Sequence, residues 1–190
     1  MKIKKAFDIC KRDNNIATYS ITDGELWLTN GVAAWALNDV PELSEDYICQ
    51  LYDINDKKRE KIHFHINMEV PEHLNLNDAD PKEFPAEPLT TNLVLQGKGI
   101  VQPLLWERGL VLIEKQYLEP LSDYQEEDIS YWIRYANAEA VYVAVKVGLL
   151  LYAIIVPTKL TDSNLTLSLF IQRQKRINRY KARVRFIYTI

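Results

Sequence analysis

At 190 residues, with 47% hydrophobic and 26% charged side chains, the chain is able to bury a core, and this composition excludes disorder along most of its length. Its two cysteines exclude a disulfide-built scaffold. The net charge of −3 conceals a division: residues 1–162 hold 16 basic and 26 acidic groups, a balance of −10, whereas residues 163–190 hold seven basic groups and no acidic one, +7, which restricts any electrostatic attraction to polyanions to the C-terminal end.

"MKIKKAFDICKRD" places Ile3, Ala6, Phe7 and Cys10 at helical spacing with lysines opposite, and predicts a helix over 2–12. The lysines after Met1 precede no apolar run of signal-peptide length, so a cytoplasmic location is expected. Asp23-Gly24 and Asn30-Gly31 are hairpin dipeptides and divide the next stretch into strands at about 16–22, 25–30 and 32–37. Ser44 reads as the N-cap of a helix in "SEDYICQLYDI", with Glu45 and Asp46 in the first turn. "NDKKREKIHFHI" reads as a helical turn ending in a strand. Four prolines (Pro71, Pro81, Pro85 and Pro88) among acids and asparagines mark 69–88 as an acidic, extended connector. Beyond it, "TTNLVLQGKGIVQPL" gives a strand and a turn. A strand at 109–113 and a short helix at about 115–121 follow, and then "ISYWIRYA" as a further strand.

"AVYVAVKVGLLLYAIIVP", 140–157, approaches the length of a membrane span. Lys146 argues against one, since a charge at bilayer depth costs about 3 kcal/mol. Gly148 splits the run into two Val-, Ile- and Tyr-rich pieces of strand length. A hairpin at the centre of a sheet is therefore expected, and no membrane partner. Cys10 and Cys49 read as buried free thiols. Trp27, Trp35, Trp106 and Trp132 read as core residues on or beside strands.

The expected fold class is α+β: two helix-plus-antiparallel-meander units forming one domain over 1–160. The pseudo-repeats span about 1–66 and 90–160, joined by the connector 69–88. Residues 161–190 form a basic C-terminal helix or tail. Its pattern is double: Leu167, Phe170 or Ile171, Ile177, Tyr180 and Val184 recur at helical spacing, while "NLTLSLFI" and "KARVRFIY" alternate at period two.

"LLLYAIIVPTKL" resembles the closing strand of sliding DNA clamp domains, which end on an aromatic or apolar residue, an apolar run, a proline and a base. Those positions here are Tyr152, Ile154, Ile155, Pro157 and Lys159. "LVLIEKQYLEPL", with Tyr117 and Leu118, resembles the strand-then-helix opening of a clamp unit. The resemblance covers about 108–160 and, loosely, 1–37; residues 41–88 and the tail lie outside it. "WLTNGVAAWALNDVPELSEDYI" is similar to short uncharacterised phage and prophage proteins of Firmicutes. The resemblance implies a non-catalytic, clamp-like accessory protein of phage or prophage DNA metabolism.

No phosphate-binding glycine loop, nucleophile elbow or HExxH motif occurs. His63 and His65 share one strand face, and two ligands can begin a zinc site, but an exposed polar strand face is the plainer reading and no metal is assigned. Glu126, Glu127 and Asp128 read as solvated surface. No catalytic residue and no cofactor is assigned. Nucleic-acid contact is assigned to Arg173, Lys175, Arg176, Arg179, Lys181, Arg183 and Arg185, because clustered cations neutralise phosphates and release counterions. Tyr180 and Phe186 among them could stack on bases. The competing reading is a protein-interaction module whose basic tail docks an acidic partner or a second copy of itself.

Overall fold

The computed structural model describes residues 1–21, 24–38, 40, 43–95 and 97–158. Helix α1 (Ile3–Arg12) turns Ala6, Phe7, Ile9 and Cys10 inward. Asn14 then takes a left-handed conformation, φ 54°, which asparagine tolerates, and redirects the chain into β1 (Asn15–Ser20). Strands β2 (Leu26–Thr29) and β3 (Ala33–Leu37) complete an antiparallel meander. Asn30 shapes the β2–β3 turn, its Oδ1 accepting from the backbone N–H groups of Val32 and Ala33 at 3.0 and 2.8 Å. Gly31 there has φ +88°, and a Cβ would sit 3.2 Å from Asn15 Nδ2.

Helix α2 (Glu45–Leu51) starts at Ser44, whose Oγ accepts from Tyr47 N at 3.2 Å, as the cap pattern predicts. The short helix α3 (Asp56–Arg59) leads into β4 (His63–Met68), which lies parallel to β1. After β5 (Phe84–Pro88) and β6 (Leu93–Leu95) come β7 (Gly99–Trp106) and β8 (Gly109–Glu114). Two 3-10 helices follow, η1 (Lys115–Leu121) and η2 (Glu126–Asp128). A second meander closes the described chain: β9 (Ile129–Tyr135), β10 (Val141–Val147) and β11 (Leu150–Ile155). The apolar run 140–157 is thus a hairpin, β10 on β11, turning at Gly148 with φ +60°. No helix among the described residues is long and apolar enough to cross a membrane.

The architecture is α+β. Among the described residues eleven strands join in the order β4-β1-β2-β3-β11-β10-β9-β5-β7-β6, with β8 on the other side of β7. All pairings are antiparallel except β1 with β4. The seam is β3 against β11, with Trp35 opposite Ala153. Reading outward from it, β3, β2, β1 on one side mirror β11, β10, β9 on the other. With every neighbour antiparallel, this is the order produced by a two-fold axis perpendicular to the sheet. Such an axis requires the helices preceding the two meanders to share a face. They do: Ala6, Phe7, Ile9 and Cys10 of α1 and Tyr117 and Leu121 of η1 belong to one core cluster. The symmetry stops at the flanks, because β4 is parallel to β1 while β5 is antiparallel to β9.

Both faces of the meanders are covered. Ala33, Trp35, Leu37, Val141, Val143, Val145, Ala153 and Ile155 point to the helices. Their alternates, Ala34, Ala36, Tyr142, Ala144 and Ile154, point the other way with Trp27 and Leu151, and are covered by Val70, Leu74 and Leu76. The stretch that reads as a connector is therefore a strap across the second face, and its last residues form β5, which carries the sheet from β9 to β7. Nothing local in its sequence carries that role. Trp27, Trp35 and Trp106 are buried, whereas Trp132 is half-buried against the strap.

Cys10 and Cys49 are free and buried. Burial pushes both thiols above their ordinary range, with the carboxylate of Asp13 adding to the effect at Cys10. Thiol reagents attack the thiolate, so neither cysteine should react with Ellman's reagent at pH 8 in the folded protein. Both should react in denaturant, and rapid modification of either under native conditions would contradict this packing.

Candidate functional site

The predicted phosphate contacts, Arg173, Lys175, Arg176, Arg179, Lys181, Arg183 and Arg185, lie outside the described residues, as do Tyr180 and Phe186. The point from which that segment departs is defined. After β11, Thr158 N donates to Leu112 O at 2.7 Å, and Thr158 Oγ1 donates to Glu114 Oε1 at 3.2 Å. The chain thus reaches position 158 along the β8 side remote from β7. Glu114 is buried and serves as the anchor, also taking Lys98 Nζ at 3.1 Å and Gln116 Nε2 at 2.6 Å.

The most charged buried cluster holds the strap. Arg134 on β9 is fully buried. Its Nε and Nη2 meet Glu83 Oε2 at 2.8 and 2.7 Å. Nη1 donates to the carbonyls of Asn75 and Asn77, and Nη2 to that of Asp78. Lys146 on β10 donates to the other Glu83 oxygen and lies 4.8 Å from the Trp132 ring centroid. Tyr142 Oη accepts from Asn75 N at 2.9 Å. The β10–β11 ladder is irregular between Val145 and Lys146, and the Leu151 N–H donates to Asp78 Oδ1 at 2.7 Å. Nearby, burial works to raise the Asp80 carboxyl, but donation from Lys82 N and Asn75 Nδ2 and the charge of Arg134 outweigh it and hold it below its ordinary range. Every one of these groups is engaged within the chain. The cluster fixes backbone, and both of its buried cations are spent on Glu83.

A different kind of site lies where β5, β7 and β9 converge. Phe84, Trp106 and Tyr135 meet with ring centroids 5.9, 6.1 and 6.2 Å apart and interplanar angles of 61°, 86° and 62°. Arg108, in the β7–β8 turn, sets its guanidinium 5.7 Å from the Phe84 centroid and 5.4 Å from that of Tyr135. Trp106 is buried, Phe84 and Tyr135 half-buried, and the Arg108 side chain is 57% exposed. Trp106 Nε1 and Tyr135 Oη are buried atoms without a hydrogen-bond partner among the described residues. Sequence reasoning did not single out this group as a site. Its members come from three strands and a turn, separated by up to 51 positions, and no local spacing connects them.

His63 and His65 do lie on one exposed face, that of edge strand β4, and no group of three or more potential metal ligands forms among the described residues. Glu126, Glu127 and Asp128 are exposed in η2. A cavity of about 50 Å³ between Leu74, Tyr142, Thr29 and Ile154 has room for a water or two. Comparison of the chain with protein-family models, with curated proteins and with solved structures finds no match.

Proposed function

We propose that the chain is a non-catalytic, clamp-like accessory protein that binds nucleic acid through Arg173, Lys175, Arg176, Arg179, Lys181, Arg183 and Arg185. The observation that carries this reading is the segregation of charge: −10 over residues 1–162 and +7 over residues 163–190. A phosphate backbone attracts the second segment and repels the first, so contact concentrates at the C-terminal end. Support for the clamp-like part comes from the two helix-plus-meander units about the β3–β11 seam, since clamp domains are built from such units twice over.

Fluorescence anisotropy with labelled duplex and single-stranded DNA at increasing salt tests it. Each lost phosphate contact lowers the salt slope by about 0.9 on duplex and about 0.7 on single strands. Replacing Arg173, Lys175, Arg176 and Arg179 together by glutamine should therefore flatten the slope by about 3 and weaken binding by about 100-fold at low salt. Affinity indifferent to salt, or unchanged in this variant, overturns the assignment.

The same charge complementarity favours one second reading, in which the basic end docks an acidic partner or the acidic body of another copy. A tail-dependent increase in mass by light scattering, without DNA binding, selects that reading.

A further inference from the structure

We propose that the corner formed by Phe84, Trp106 and Tyr135 beneath the Arg108 guanidinium is a receptor for one unpaired base of single-stranded nucleic acid. The proposal rests on the nucleic-acid reading above and adds to it the part of the ligand recognised. Phe84 and Tyr135 stand at 86° to each other with centroids 6.1 Å apart, two aromatic walls at a right angle. The guanidinium, itself flat, lies within cation–π range of both and occupies the place an entering base would take.

Its hold is light. The ion pair of Arg108 is with Glu107, its own neighbour in the chain, at 3.3 Å, and the two side chains are 57% and 52% exposed. Exposed pairs of this kind contribute little, so the guanidinium can lift from the rings and close over an entering group at small cost. Trp106 Nε1 and Tyr135 Oη are buried and without a hydrogen-bond partner among the described residues, so both carry a desolvation penalty that an acceptor could relieve once the guanidinium has lifted.

The polar chemistry selects the ligand. Guanidinium and indole N–H only donate and the phenol O–H can donate as well, so the partner should present a flat face and acceptor edges. A nucleobase has both, and guanine O6 and N7 match a guanidinium fork. Stacking of a base on an aromatic ring tolerates any sequence. Paired bases inside a duplex keep their faces covered, so the corner discriminates in favour of single strands. Glu107 beside the guanidinium repels phosphate, which leaves the backbone to the C-terminal cations and the base to the corner.

The test is a titration of the full chain with a mixed-sequence 15-nucleotide single strand and with the corresponding 15-base-pair duplex, following tryptophan fluorescence and anisotropy. The single strand should quench fluorescence, and Trp106→Phe should lose most of that quench. Arg108→Gln, which gives up two exposed cation–π contacts and lowers the melting temperature by no more than about 5 °C, should weaken single-strand binding by about 5- to 10-fold, less than the loss of a full base stack, and leave duplex binding within about 2-fold. Tyr135→Phe, which removes only the hydroxyl, should give a smaller loss of the same selectivity. A single-strand to duplex ratio unchanged by Arg108→Gln, or a quench that persists in Trp106→Phe, reduces the corner to ordinary packing and overturns the proposal. The two readings fail separately: loss of binding on neutralising Arg173 to Arg179 with no effect of Arg108→Gln sinks the corner alone, and the converse sinks the tail assignment alone.

Discussion

Glu83→Gln should lower the stability of the folded chain by about 3–5 kcal/mol, the cost of breaking a buried charge cluster by removing one member. For a chain of this size that corresponds to a fall in melting temperature on the order of 10 °C. The reason is charge balance. Among the described residues Glu83 is the carboxylate in direct ion pairs with both buried cations, Arg134 and Lys146, whose side chains are 0% and 8% exposed, while Asp80 feels only the field of Arg134. Neutralising Glu83 leaves two like charges close together, away from water. Lys146→Met does the reverse. It removes the surplus cation, keeps the Arg134–Glu83 pair, and retains an apolar stem against Trp132 at the loss of one charged hydrogen bond and a cation–π contact, for a cost of about 2 kcal/mol. Thermal melts of the two variants check the ordering. If Lys146→Met melts as low as Glu83→Gln, charge imbalance is not what the cluster controls.

This cluster also separates what the sequence could convey from what it could not. Hairpins announce themselves locally. Asn30-Gly31 and Gly148 supply the positive φ that tight turns need, and their strands pair as the dipeptides predict. Ser44 caps α2 for an equally local reason. The strap is different, because the donors that fix its carbonyls sit on Arg134, up to 59 residues further along the chain, and its own composition of prolines, asparagines and acids describes only the absence of helix or strand periodicity. Lys146 speaks against a membrane span in the sequence and is nevertheless buried, since Glu83 is brought to it from the strap. The strand that carries it is thereby covered on both faces. The parallel placement of β4 beside β1 and the aromatic corner under Arg108 are likewise products of assembly. The fold class was legible because helix and meander periodicities are short-range. The convergence of Phe84, Trp106 and Tyr135 was not, because it exists only after β5 has inserted between β9 and β7.

The β3–β11 seam joins the two meanders, and Trp35 is where it can be tested. The indole is fully buried, lies across from Leu28 on β2 and Ala153 on β11, and its Nε1 donates to Tyr117 O of η1 at 3.0 Å. The small side chain of Ala153 leaves the volume that the indole fills. Trp35→Ala should cost about 3–5 kcal/mol through the cavity it opens beneath both meanders, read as a shifted urea midpoint at unchanged slope. Trp35→Phe keeps most of the volume and the ring contact with Tyr117 but leaves the Tyr117 carbonyl without its donor, for a loss of about 1–3 kcal/mol. The separation between the variants measures packing against hydrogen bonding at the seam. A Trp35→Phe variant as unstable as Trp35→Ala would place the weight on the single bond to η1. A Trp35→Ala variant that loses less than about 1 kcal/mol would mean that the meanders hold together through their backbone ladder without this anchor.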